Sequence, residues 1–137
     1  VIPDSITQIP ERAFYGCSAL ASVSLPDSLT EIGTAAFSGC SALTGIRIPA
    51  AITEIINHTF SGCTSLATLE IPDSVTKIGD YAFFGCTSLT SIAIPDSVTA
   101  IGNGAFSNCT ALTLTVTPDS YAAEYAQANG ISYTYVD

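Results

Sequence analysis

Pro recurs at positions 3, 26, 49, 72, 95 and 118, a constant step of 23 residues. Cys17, Cys40, Cys63, Cys86 and Cys109 keep that step, as do Phe14, Phe37, Phe60, Phe83 and Phe106. Leu20, Leu43, Leu66, Leu89 and Leu112 form a further column. Residues 72–94 and 95–117 are identical at 13 of 23 positions, with no insertion or deletion. One copy holds too few apolar positions to offset the conformational entropy of ordering it. Neighbouring copies must therefore share a core, and the expected architecture is a stacked solenoid in which each column forms a ladder. The reading is one domain over 1–137, with copies at 3–25, 26–48, 49–71, 72–94 and 95–117 and a cap at 118–137.

The pattern inside one copy predicts its path. In residues 66–88, Leu66, Leu69 and Ile71 surround a short strand, and Thr68 and Glu70 alternate outward. Pro72 ends the strand because it has no N–H to donate. Asp73-Ser74 is expected to cap a turn through side-chain bonds to nearby amides. Val75 and Ile78 return to the core, Gly79 bends the chain, and Ala82-Phe83 sits in a helical or 3-10 turn. Equivalent strands pair in parallel at about 4.8 Å spacing, so five coils span roughly 20–25 Å. In the last segment, Ser120 offers a helix N-cap. Tyr121, Ala122, Tyr125 and Ala126 form an apolar stripe, and Asn129-Gly130 a stop. Ile131, Tyr133 and Tyr135 then alternate as a closing strand. Val1-Ile2-Pro3 starts in mid-strand, so the chain is expected to be part of a longer array.

Composition narrows the function. With 12 acidic and 3 basic residues, net charge −9, the chain has too few cations to neutralise several phosphates. Nucleic acid and anionic membrane surfaces are disfavoured as partners. The chain is 47% hydrophobic, yet no run approaches 18 apolar residues, and no basic-then-apolar leader pattern is present.

The columns that carry reactive groups read as structure. A line of thiols cannot surround a zinc ion. Parallel Cβ vectors in a ladder hold adjacent cysteines too far apart for disulfides. The five are therefore expected to be buried, reduced and alike. The Thr7, Thr30, Thr53, Thr76 and Thr99 hydroxyls are expected to bond between coils. The Phe column is expected to be a spine of stacked rings. His58 shares its column with Arg12, Ala35, Tyr81 and Gly104, a mixed set that suits an exposed position. No nucleophile, metal or phosphate-loop motif occurs, so no catalytic residue, metal or cofactor is assigned. Asn57-His58-Thr59 and Asn108-Cys109-Thr110 match a glycosylation sequon by composition alone. Arg47 is expected to face Glu70, and Glu54 to face Lys77, one period apart.

The unit LxxIxIPxxVTxIGxxAFxxC resembles the BspA-like leucine-rich repeat. The match rests on Leu89-x-x-Ile92-x-Ile94-Pro95, Val98-Thr99-x-Ile101-Gly102, Ala105-Phe106 and Cys109, with their counterparts upstream. The resemblance implies an α/β repeat solenoid: a right-handed superhelix with parallel strands on one face and short helical turns on the other. It also implies a bacterial surface or secreted protein that binds proteins without catalysis. The expected binding face is the row of outward strand residues Ser22, Ser24, Gly45, Arg47, Thr68, Glu70, Ser91 and Ala93, with a host extracellular protein as the expected kind of partner. A second candidate is a turn-side patch of Ile56, Tyr81 and Phe84 in and beside the divergent third copy. The alternatives are a structural spacer that presents another domain, or a weak glycan binder.

Overall fold

The computed structural model describes residues 2–136. The elements follow in the order β1 (Gln8–Ile9), β2 (Glu31–Ile32), β3 (Gly45–Arg47), β4 (Glu54–Ile55), β5 (Thr68–Glu70), β6 (Lys77–Ile78), β7 (Ser91–Ala93), β8 (Ala100–Ile101), β9 (Thr113–Val116), α1 (Tyr121–Ala128) and β10 (Ser132–Tyr135). Every pairing is parallel and joins successive coils. The strands fall into two rows. One row holds β3–β5 and β7–β9–β10; the other holds β1–β2 and β4–β6–β8.

The first row is the strand predicted ahead of each Pro. In β5 Thr68 and Glu70 are exposed and Leu69 is buried, and β7 repeats this. The second row was expected only as a return to the core. Its strands are two residues long, too short for alternation to show. Stacking creates them: Ile9, Ile32, Ile55, Ile78 and Ile101 are all buried at matching positions.

The turn side differs from the expected helical turn. The amides of Tyr81, Phe83 and Gly85 donate to Asn103, Ala105 and Ser107 of the next coil, at 3.0, 2.8 and 2.9 Å. Between them, the amides of Ala82, Phe84 and Cys86 donate back to Gly79, Tyr81 and Phe83 of their own coil. A helix would send every amide back along its own chain. Left-handed backbone at Tyr81 (φ 55°) and Gly85 (φ 73°) enforces the alternation. The turns thus form a third inter-coil hydrogen-bonded layer.

Rings fill the centre. Phe14, Phe37, Phe60, Phe83 and Phe106 stack with successive centroids 5.2, 5.8, 5.6 and 5.3 Å apart and planes within 15° of parallel. Tyr125 of α1 closes the stack edge-on at 6.5 Å.

The expected turn chemistry is also reassigned. The turn at Pro72 is closed by the Val75 amide on the Pro72 carbonyl. The hydroxyl of Ser74, not the Asp73 carboxylate, makes the side-chain bond, and it donates across to Ile52 O at 2.7 Å. Ser28 does the same to Ile6 O. The Thr30 and Thr76 hydroxyls donate to Thr7 O and Thr53 O, as the Thr column led us to expect.

The fifth copy slips by one residue. Its strand pairs Thr113 with Ser91 and Leu114 with Ile92, a step of 22 rather than 23. Leu114 and Val116 stand one place ahead of the Ile92 and Ile94 columns, and both are fully buried. The apolar alternation sets the register, and the chain yields a residue to keep it. The gap-free alignment of the sequence therefore hides a structural deletion.

Ser120 caps α1 by accepting from the Ala123 amide at 3.1 Å. Its buried face is Ala122, Ala123 and Ala126 rather than the expected stripe through Tyr121, which stays exposed. Tyr121 acts through its hydroxyl, which accepts from the Ile101 amide at 3.2 Å. The Tyr125 hydroxyl donates to Gly102 O at 3.3 Å. The two phenols thus cover the open edge of β8.

Phe60→Ala removes a ring with neighbours on both faces and should cost about 3–5 kcal/mol. Phe14→Ala, at the half-buried end of the stack, should cost less. Urea unfolding midpoints should fall in that order.

Candidate binding face

Outward side chains of the first row frame an open hollow of about 840 Å³. Arg47, Thr68, Glu70, Ser91 and Ala93 line it, with Thr115, Ala50 and Pro72 and the apolar Ile46, Ile48, Leu69 and Ile92. A smaller hollow of about 440 Å³ continues past Glu70, Asp73, Asp96 and Thr117. Five of the eight residues expected on the strand face therefore meet at one concavity. Gly45 stands at the start of β3, and a Cβ there would come within 3.2 Å of the Thr68 hydroxyl. Ser22 and Ser24 are exposed but lie outside any strand, so the expected face begins one coil later. Thr115 was missed because the register slip moves it outward in place of its neighbour. The signal was present in the Leu112-x-Leu114-x-Val116 alternation.

Both expected charge pairs are in register, Arg47 beside Glu70 and Glu54 beside Lys77. Neither closes as an ion pair. Arg47 Nη1 instead reaches Asp27 Oδ1 at 2.9 Å, back across the Pro turn. Both partners are mostly exposed, so the contact positions Arg47 and contributes only about 0–1 kcal/mol. Glu70 is left open to the hollow.

On the turn side, Tyr81 is exposed and meets Phe84 edge-on at 5.8 Å. The His58 ring stacks on Tyr81 at 5.3 Å. His58 is exposed, as its mixed column suggested. Ile56 and Phe84 are half-buried. The aromatic cluster is thus His58, Tyr81 and Phe84, and Ile56 belongs to the seam between coils. At the Asn57 sequon, Asn57 is exposed and its Oδ1 accepts from the Asp80 amide at 2.8 Å, while Thr59 is buried.

The cysteines are free thiols, but they are not alike. Cys40, Cys63 and Cys86 are buried, Cys109 is half-buried and Cys17 is exposed. Cys17 corrects the expectation of five buried thiols. The column also makes bonds the sequence did not suggest. The thiols of Cys40, Cys63, Cys86 and Cys109 donate to the carbonyls of Phe14, Phe37, Phe60 and Phe83 at 3.2, 3.2, 3.2 and 3.0 Å. Burial pushes the Cys63 thiol up to about 12, with the neighbouring Cys40 adding to the shift. Cys40 is pushed up chiefly by burial as well. Such thiols resist ionisation.

Among the described residues, no group of three or more His, Cys, Asp or Glu side chains is arranged to hold a metal ion. No helix there is long and apolar enough to cross a membrane.

Coils of fixed period, parallel strand rows and a buried aromatic spine define a leucine-rich-repeat solenoid. The chain belongs to the BspA type leucine rich repeat family, whose profile matches residues 1–113 in six copies. That match stops where the register slips. Among solved structures, the chain is similar to a leucine rich cell surface protein from Faecalibacterium prausnitzii, at 46% identity and a TM-score of 0.82 over 96% of this chain and 34% of that one. It is similar to the T. pallidum leucine rich repeat protein at 41% identity and a TM-score of 0.78, over 80% of this chain and 52% of that one. The pneumococcal vaccine antigen PcpA shares the fold, at 20% identity and a TM-score of 0.78. The chain thus spans about half or less of each of these proteins. Comparison with curated proteins gives no match.

Two outcomes follow from the thiols. A maleimide reagent should label Cys17 rapidly in the folded protein and spare Cys40, Cys63 and Cys86; all five should react after unfolding without reductant. Retained label on fewer than five would reveal a disulfide. Separately, an acid whose proton is held more tightly in the folded state loses stability as pH rises. Stability carried by Cys63 should be complete below the ordinary thiol value of 9.0 and fall as pH climbs toward about 12. Cys63→Ala should flatten that part of a stability–pH curve measured by denaturant unfolding.

Proposed function

We propose that the chain is a non-catalytic protein-binding module of a bacterial cell-surface or secreted protein, and that its first strand row is the contact face. The observation that carries this reading is the hollow over β3, β5 and β7. Arg47, Thr68, Glu70, Ser91 and Ala93 stand on paired strands above apolar Ile46, Ile48, Leu69 and Ile92, with Arg47 turned toward Asp27 and Glu70 open to the hollow. Rigid elements present these groups, so little backbone entropy is lost on contact. The face has no Trp or Tyr anchor, which favours a modest affinity multiplied along a longer array. The F. prausnitzii neighbour is a cell surface protein, which supports an extracellular setting and an extracellular protein as partner.

The test is capture of extracellular proteins on the immobilised chain, then quantification of any bound partner against variants. Arg47→Glu with Glu70→Lys should reverse the charge pattern and weaken binding at least about tenfold, a loss of 1.4 kcal/mol. Ser107→Arg, on the exposed turn side, should leave it unchanged. Equal binding by the double variant would exclude this face.

A further inference from the structure

The third copy interrupts the bonding pattern of both strand rows, and one residue stands at the interruption. In the second strand row, each coil donates to the one before through two amides. Thr30, Thr76 and Thr99 donate to Thr7, Thr53 and Thr76; Gly33, Gly79 and Gly102 donate to Ile9, Ile55 and Ile78. Only the step from the second to the third copy lacks both bonds, and there β2 and β4 do not pair. The Ser28-type hydroxyl bond is lost at the same step, because Ala51 replaces Ser. The Phe37–Phe60 step is the widest of the four Phe–Phe steps, at 5.8 Å.

Ile56 stands at this step in the Gly33, Gly79 and Gly102 column. That column admits no side chain without displacement: a Cβ on Gly33 would lie 2.6 Å from Glu11 N and 2.7 Å from Pro10 C. A Cβ on Gly79 would lie 2.6 Å from Asn57 N. Ile56 must therefore hold its side of the third coil away from the second. The turn layer still crosses this step, through Ala35, Phe37 and Gly39 amides on Asn57, Thr59 and Ser61.

The opposite row is unpaired ahead of β3 and again on the far side of the third coil, between β5 and β7. There the third coil stays bonded to the second through β3–β5, but β5 and β7 do not pair. The Ala67 amide reaches Thr44 O at 3.0 Å and the Thr113 amide reaches Thr90 O at 2.9 Å, yet Thr90 makes no matching bond to Ala67. A rigid tilt of the third coil about the turn layer opens one row behind it and the other ahead of it. The hollow sits over the second gap, with Thr68 and Glu70 on one side and Ser91 and Ala93 on the other.

We propose that Ile56 is a wedge that tilts the third coil and thereby shapes the strand-face hollow from the far side of the solenoid. It is a positioning residue for a protein partner, and that consequence rests on the strand-face reading above. The tilt itself does not.

The experiment is amide hydrogen exchange on the full chain and on Ile56→Gly. In the native protein, Thr53 and Thr90 should exchange at least about tenfold faster than Thr76 and Thr113, their bonded counterparts. Ile56→Gly should slow both Thr53 and Thr90, although they lie in different rows. Equal protection of all four amides in the native protein would overturn the proposal. So would a variant in which Thr53 slows and Thr90 does not, since the two gaps would then be independent. Because no partner is present, a failed binding face leaves this result standing. If the face holds, Ile56→Gly should also change partner affinity without touching a contact residue.

Discussion

Backbone meeting backbone at a fixed distance is the constraint on which everything else depends. Three inter-coil layers, two strand rows and the turn layer, hold most successive coils at backbone-bonding distance. At that spacing the Gly33, Gly79 and Gly102 column has no room for a Cβ. The Phe rings reach stacking distance because the coils are already that close. The cysteine thiols lie within bonding distance of the carbonyls of the preceding coil for the same reason. A larger side chain would lose that bond, and a smaller one would leave a void in a close-packed interior.

This spacing also explains the composition. Backbone amides that end no strand and join no helix must still find partners. Here they find them one coil away, and Ser and Thr hydroxyls do likewise. Ser28, Thr30, Ser74, Thr76 and Ser88 thus serve as inter-coil ties. Few positions remain for charge, which is why only 11% of the chain is charged.

The period made the coil, the outward strand residues and the aromatic spine legible, because each repeats at a fixed offset and its chemistry fits only one side. What was hidden fell into two kinds. The second strand row and the thiol bonds arise only when coils stack; no single copy contains them. The helical turn was misread for a related reason. Ala82-Phe83 suits a helix locally, but left-handed backbone at Tyr81, a non-glycine, turns alternate amides toward the next coil. The ion pairs failed differently. Arg47 and Glu70 share a register, but the long Arg side chain found Asp27 across the turn. Register places Cα atoms; it does not choose among exposed partners of equal worth.

Regularity alone gives a surface that is the same everywhere, and such a surface cannot select a partner. Selection needs a local departure that the fold can bear. The fifth copy departs by one residue and brings Thr115 to the rim of the hollow. The third copy departs by a side chain in a column built for none. Both departures spare the turn layer and the aromatic spine, which run unbroken through them. The interruptions are confined to the strand rows, while the turn layer and the aromatic spine cross every step of the third copy. The hollow lies over β5 and β7, at one of the steps where strand pairing is interrupted.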